Sequence, residues 1–126
     1  MKISSAPRAI ALIGAVFFLV TGVWAFFAPE SFFDVVATYP PYNEHLFHDL
    51  GAFQIGLGAT LGLSLVRADA LFVALGGAAV GSIAHAIAHF MDKHLGGRTA
   101  DPWNLSLFAV LLVVGAYLQL KRSQAQ

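Results

Sequence analysis

One continuous stretch decides the fold of this chain, namely LFHDLGAFQIGLGATLGLSLV (46–66), RAD (67–69) and ALFVALGGAAVGSIAHAIAHFM (70–91). Two long apolar runs are separated here by only three residues. Each run is about as long as the roughly 20 residues that a helix needs to cross the hydrocarbon core of a membrane. Because the connection is so short, the two helices are predicted to form a tight antiparallel hairpin.

Two further apolar runs flank this hairpin, at residues 9–27 and 105–120. A segment rich in proline and aromatic residues (28–44) joins the first run to the hairpin and is predicted to be an interfacial loop. Asn43, at its end, is the expected N-cap of the second span. The first run is longer than the roughly 7 to 15 apolar residues of a signal peptide, which favours a membrane helix over a cleaved leader. The fold prediction is therefore one all-α domain over residues 1–126, an integral membrane bundle of four helices.

The composition of the chain agrees with a lipid environment. Of its 126 residues, 58% are hydrophobic and only 11% are charged, whereas soluble domains have about 25% charged residues. The formal net charge of zero leaves no basic surface and excludes a nucleic-acid partner. The expected partners are the lipid bilayer and, because the bundle is small, further copies of the chain or other membrane subunits. The chain has no cysteine, so a metal ion would need nitrogen and oxygen ligands.

Lysine and arginine residues are distributed unequally between the two predicted membrane faces. Five lie on the side of both termini, namely Lys2, Arg8, Arg67, Lys121 and Arg122, and two lie on the other side, namely Lys93 and Arg98. Positively charged residues are enriched in the cytoplasmic segments of membrane proteins. The sequence therefore predicts that both termini are cytoplasmic.

All five histidines are predicted to lie at the opposite, outer face: His45, His48, His85, His89 and His94. Because a helix rises by a constant step of about 1.5 Å per residue, heights can be counted in both directions from the hairpin turn. This count places His48 and His85 at one height, and His45 and His89 about 5 Å farther out. His94 follows the third span and is predicted to be a solvated loop residue.

Stripes of small residues predict how the hairpin packs. On the third span Gly77, Gly81, His85 and His89 recur every four residues. A comparable stripe on the second span contains His48, Gly51, Ile55, Gly58 and Gly62. Small residues at this spacing mark close contacts between membrane helices. We therefore expect the two stripes to pack together and to bring the histidines face to face.

Two pairs within this cluster have the spacing of metal ligands. His45-x-x-x-Asp49 and His85-x-x-x-His89 each place two donors one helical turn apart. Three imidazoles and one carboxylate suit Zn, Cu, Fe or Mn better than Ca or Mg, which prefer oxygen ligands. His48 and Glu44 are predicted to serve as an additional ligand or as hydrogen-bond partners of the ligands. Metal handling, redox chemistry and metal-assisted hydrolysis all remain open, as does enzymatic activity.

Two alternatives stand beside the metal site. The same residues could form a structural or proton-handling network in a non-catalytic accessory or scaffold subunit of a larger membrane complex. Haem b could be held by one histidine from each helix, although a flat haem needs a gap that packed glycine stripes would close.

The string YNEHLFHDLGAF (42–53), followed by His85-x-x-x-His89, resembles small four-span bacterial membrane proteins that are frequent in actinobacteria. Its most specific elements are N-x-H-x-x-x-D-x-G, which begins at Asn43, and H-x-x-x-H. This resemblance implies a multi-pass protein of the bacterial inner membrane and implies no activity. In size and number of spans alone the chain also resembles DoxX-type proteins.

Two other families share the chemistry but have too many spans for this chain. Cation-diffusion zinc transporters similarly use H-x-x-x-D pairs in membrane helices. Seven-span zinc amidases of the ceramidase type use H-x-x-x-H together with an aspartate and a serine. Similarity to the second family implies that Ser82 joins Asp49, His85 and His89 around a zinc-bound water.

Overall fold

The structure is a computed structural model that describes residues 5–125. Within these residues all regular secondary structure is helical, with five α-helices and no strand. The helices are α1 (Ala6–Phe27), α2 (Pro29–Val35), α3 (Glu44–Ser64), α4 (Leu71–Met91) and α5 (Asp101–Gln124), and a single 3₁₀ turn (Ala68–Ala70) precedes α4. The four long helices coincide with the predicted apolar runs, which confirms the all-α class. Lys2, which counts toward the predicted orientation, lies outside the described residues.

The number of apolar spans differs from the prediction. Among the described helices, α1, α4 and α5 are long and apolar enough to cross a membrane. Helix α3 has 21 residues and is long enough, but His45, His48, Asp49 and Gln54 reduce its mean hydropathy. The structure therefore supports a membrane-embedded protein with three apolar spans, and the prediction of four apolar spans is wrong on this criterion.

The segment predicted to be an interfacial loop contains a short helix, α2, that was not predicted from the sequence. Pro29 begins this helix, a position where proline is favourable because the first helical N–H needs no intrahelical acceptor. Its Phe32 is buried in a small cluster with Ala25 and Phe47. The predicted N-cap of α3 is confirmed, because the Asn43 side chain accepts a hydrogen bond of 3.1 Å from the backbone N–H of Leu46.

Two glycines of α3, Gly51 and Gly58, pack against α1. A Cβ atom added at Gly51 would lie 2.7 Å from the carbonyl oxygen of Gly22, and one added at Gly58 would lie 2.9 Å from the backbone nitrogen of Leu19. Near the other end of the pair, Arg8 donates a hydrogen bond of 2.7 Å to the carbonyl oxygen of Leu65. The two helices are therefore antiparallel neighbours along their whole length. Our expectation that the α3 stripe packs on α4 is wrong.

Helix α4 packs instead against α5. Its buried side includes Leu75, Ala78 and Ser82, and Leu75 approaches Gly115 of α5. Gly115 also contacts Ile10 of α1, so α1 and α5 are neighbours. The bundle thus has two layers, one of α1 and α5 and one of α3 and α4, with fewer contacts between α3 and α4 than within the pairs α1/α3 and α4/α5.

The hairpin turn between α3 and α4 forms where it was predicted. Arg67 and Asp69 make an ion pair of 3.1 Å there. The hydrogen bond that Arg67 donates to Asp69 is the main cause that lowers the pKa of this carboxyl below its usual value, and the positive charge of Arg67 is the second. Both side chains are exposed, so this pair marks the polar end of the hairpin and adds little to stability.

Candidate functional site

His85 and His89 lie on the last two turns of α4 and contact each other. Their Nε2 atoms are 3.1 Å apart, and their ring centroids are 4.8 Å apart. A tetrahedral metal ion with ligand nitrogens at about 2.0–2.1 Å would separate two such nitrogens by roughly 3.4 Å. The two rings, called the α4 pair below, therefore have a spacing that suits either one hydrogen bond or one shared metal ion.

Tyr39, in the loop before α3, continues this chain of contacts. Its hydroxyl oxygen is 3.0 Å from Nδ1 of His89, and the two rings are nearly perpendicular, at 88°. The hydroxyl and the two imidazoles thus form one continuous chain of polar contacts. Tyr39 is not among the predicted site residues, because it lies 50 residues before His89 and its aromatic neighbours suggested the headgroup region.

The loop after α4 holds Tyr39 in place. The backbone N–H of Gly97 donates to the carbonyl oxygen of Thr38 over 3.0 Å, and the Arg98 side chain donates to the carbonyl oxygen of Val35. Gly96 and Gly97 have φ values of 155° and 76°, which glycine adopts readily. A Cβ at Gly97 would collide with the Tyr39 hydroxyl. The Gly96-Gly97 pair is therefore the sequence feature that could have indicated the close contact of this loop with Tyr39.

The charge state of Tyr39 is defined by its surroundings. Burial, and then the negative charges of Asp101 and Asp92, raise the pKa of Tyr39 above its usual value. The phenol is therefore neutral at physiological pH and can accept a hydrogen bond from Nδ1–H of His89. In that tautomer the Nε2 atom of His89 carries a free lone pair, which is the form that binds a metal.

For a metal ion held by the α4 pair, we expect Tyr39→Phe to weaken binding roughly 10- to 100-fold, the usual effect of removing a hydrogen-bond partner of a ligand histidine. The phenyl ring keeps the packing, and only the contact with Nδ1 is lost. Metal titration gives the affinity, and ¹⁵N chemical shifts of the imidazoles give the tautomer of His89. Tyr42→Phe is the matched control, because the Tyr42 ring stacks on Phe47. Equal affinities of both variants would contradict a role for Tyr39.

The other predicted pair lies at the start of α3. His45 Nε2 is 3.5 Å from Asp49 Oδ2, and the two side chains are 84% and 57% exposed. His48 turns toward α1 instead, where its ring centroid is 5.5 Å from that of Phe26. Glu44 is exposed and lines a shallow polar depression with Glu30. Of these residues, His45 and Asp49, called the α3 pair below, have donor atoms close together.

The two pairs do not combine within one chain. Among residues 5–125, no group of three histidine, aspartate or glutamate side chains is close enough to hold a metal ion. The expectation that packed glycine stripes bring the histidines face to face is wrong, since Gly51 and Gly58 lie against α1, and Gly77 and Gly81 of α4 contact no other described helix. Ser82 is buried, and its hydroxyl has no hydrogen-bond partner among the described residues. It faces the bundle core while His85 is exposed.

Comparison with known proteins adds no assignment. No family model matches the chain, and no curated protein or solved structure matches it. The resemblance to four-span actinobacterial proteins stays a prediction, and the site is interpreted from its own geometry.

His94 lies in the loop after α4 and is exposed, which confirms its predicted place outside the cluster.

Haem was expected to be less favourable than a bare metal ion because packed glycines would close the gap between α3 and α4. The glycines of α3 and α4 do not contact each other, so this reason does not hold. Haem therefore stays an alternative that spectroscopy can separate from a bare metal ion.

Proposed function

We propose that this is a four-span inner-membrane protein that binds a transition metal ion at its outer face through the α4 pair, His85 and His89. The observation that carries the proposal is the 3.1 Å separation of the two Nε2 atoms. Tyr39 supports it, because a hydrogen-bonded Nδ1 is the usual feature of a metal-binding histidine. Zn, Cu, Fe and Mn suit the imidazole nitrogens.

The four-span topology rests on the packing of α3. This helix runs antiparallel to α1 from Gly51, beside Gly22, to Leu65, beside Arg8. A helix that follows a spanning helix over its full length lies at the same depth in the membrane. The less apolar α3 is then the fourth span, and the excess of lysine and arginine beside both termini favours cytoplasmic ends.

Metal handling is the role that the α4 pair supports best. Two nitrogens fill half of a tetrahedral coordination shell, and structural sites are usually closed by four protein ligands. His85 is exposed, so an ion could reach it from outside and leave again. A partly open, accessible site suits capture and exchange of an ion.

An accessory subunit with a structural polar cluster is the second candidate. The specific observation in its favour is that Tyr39, His89 and His85 satisfy one another by hydrogen bonds without a metal. In this case the residues would order the outer loops and bind nothing.

Elemental analysis of tag-free protein tests the proposal against this alternative. We expect stoichiometric transition metal in the unmodified protein and its loss in His85→Ala,His89→Ala. His94→Ala is the matched control, because it removes a histidine outside the cluster and is expected to keep the metal. A metal-free protein would contradict the proposal, and loss of order in the outer loops of the double variant would then support the structural role. A Soret band in the absorption spectrum of the same sample would reveal haem.

A further inference from the structure

Two outer segments of the chain are joined by hydrogen bonds beside the α4 pair. In the loop after α4, the backbone N–H of Gly97 donates to the carbonyl oxygen of Thr38 over 3.0 Å. The Arg98 side chain donates to the carbonyl oxygen of Val35, which lies at the end of α2, where helix carbonyls lack an intrahelical donor. These two hydrogen bonds, called the clasp below, connect the loop after α4 to the segment between α2 and α3.

The clasp is anchored to the bundle on both sides. The backbone N–H of Arg98 donates to Oδ2 of Asp101 over 2.7 Å, and Asp101 begins α5. On the other side, α2 is fixed by Phe32, which is buried in a cluster with Ala25 and Phe47. Because each half of the clasp is attached to a helix, the clasp can fix the position of a side chain that lies between them.

Tyr39 is the side chain in that position. It follows Thr38 directly, and its ring lies against Gly97, where an added Cβ would be 2.7 Å from Cζ of the ring. On its other side the Tyr39 hydroxyl is 3.0 Å from Nδ1 of His89, which is half-buried, unlike the exposed α3 pair. Because N–H···O hydrogen bonds rarely exceed about 3.2 Å, a small displacement of Tyr39 breaks its contact with His89.

Resting on the proposed metal function, we propose that Arg98 and Gly97 are positioning residues of the metal site, which hold the Tyr39 hydroxyl against Nδ1 of His89. Both act through Tyr39. While Nδ1–H is engaged by Tyr39, the lone pair of Nε2 is available to an ion shared with His85. When the clasp opens, His89 loses this partner, and the apparent affinity falls in proportion to the fraction of molecules with a closed clasp.

The same coupling operates in the opposite direction. If closing of the clasp strengthens binding of the ion, the ion strengthens closing of the clasp by the same factor. Metal binding at the α4 pair would therefore order the loop after α4. The Gly97 N–H reports on this effect, because it is protected from exchange with water only while it donates to Thr38.

Replacing Arg98 by glutamine tests the positioning role. We expect Arg98→Gln to weaken zinc binding by about tenfold, within the usual range for loss of a partner of a ligand histidine. In Tyr39→Phe the same substitution is expected to have no further effect, because no hydroxyl is left to position. Arg8→Gln is the matched control, since Arg8 also donates to a backbone carbonyl, that of Leu65 at the opposite end of the bundle. An equal loss with and without the Tyr39 hydroxyl would overturn the positioning role.

Replacing Gly97 by alanine displaces Tyr39 in a second way. The added Cβ would collide with the hydroxyl and the ring of Tyr39, and the φ of 76° disfavours a residue with a side chain. We expect Gly97→Ala to weaken zinc binding as much as Tyr39→Phe does. Circular dichroism should show unchanged helical content, because Gly97 lies outside the helices. Unchanged zinc affinity in a folded Gly97→Ala protein would contradict the inference.

Two spectroscopic measurements separate this inference from the proposed function. In metal-free protein, ¹⁵N chemical shifts are expected to place the proton of neutral His89 on Nδ1, and to show a mixture of tautomers in Arg98→Gln. Addition of zinc is expected to slow hydrogen exchange of the Gly97 N–H.

The outcomes distinguish the two hypotheses. If the unmodified protein binds zinc but Arg98→Gln changes neither the zinc affinity nor the His89 tautomer, the positioning role is refuted and the metal function stands. If zinc binds without slowing exchange of the Gly97 N–H, the coupling is refuted. If the unmodified protein binds no zinc or other transition metal, the proposed function fails and this inference fails with it, whereas the tautomer still reports whether Arg98 holds Tyr39 against His89.

Discussion

Replacing His89 by alanine is expected to weaken metal binding by at least about 100-fold. Loss of a hydrogen-bond partner of a ligand costs roughly 10- to 100-fold in affinity, and His89→Ala removes a proposed ligand together with its contact to Tyr39. The affinity is measured by competition with a chelator of known strength. His94→Ala is the control, with unchanged affinity expected. Comparable affinities of the two variants would show that the metal is bound elsewhere.

The same site predicts a direction of pH dependence. A histidine must be neutral to bind a metal, so protons compete with the ion. The affinity is therefore expected to fall as the pH is lowered and protons displace the ion from the imidazole nitrogens. Raising the pH again should restore binding. A structural cluster without metal would show no such dependence in a metal-binding assay.

Replacing Gly51 by alanine is expected to lower the free energy of unfolding by about 1–3 kcal/mol or more, the usual range for overpacking. The added Cβ would lie 2.7 Å from the carbonyl oxygen of Gly22 and from the backbone nitrogen of Phe26. Both are backbone atoms, so relief requires α1 and α3 to move apart. Such a shift would also weaken the hydrogen bond that the Thr21 hydroxyl donates to Oε1 of Gln54 across the same interface.

Gly56→Ala is the matched control for this experiment. It lies on the same helix, and its added Cβ meets no atom within 4 Å. Unfolding of the detergent-solubilised monomer reports the stability of both variants without any contribution from a second copy. Similar losses for the two variants would contradict the assignment of α1 as the partner of α3.

Some contacts of the candidate site were predictable from the sequence and others were not. The pairs His45/Asp49 and His85/His89 follow from spacing, because residues four apart on a helix are neighbours wherever the helix lies. Tyr39 could not be found in this way, since its contact with His89 depends on two loops that meet in space. His48 shares its height with His85 but faces Phe26 of α1, which no count along the chain could reveal.

The sequence by itself determined the all-α class, the positions of the four long helices, the hairpin turn at 67–69 and the gathering of the histidines at one end. These features are local, because they depend on the length of apolar runs and on rise per residue. Only the tertiary structure decided that Gly51 and Gly58 of α3 pack against α1 while Gly77 and Gly81 of α4 stay open. A stripe of small residues shows on which side of a helix another helix can pack closely. It does not show which helix packs there, because every such stripe exposes the same backbone atoms. The choice of partner then depends on how the whole bundle packs.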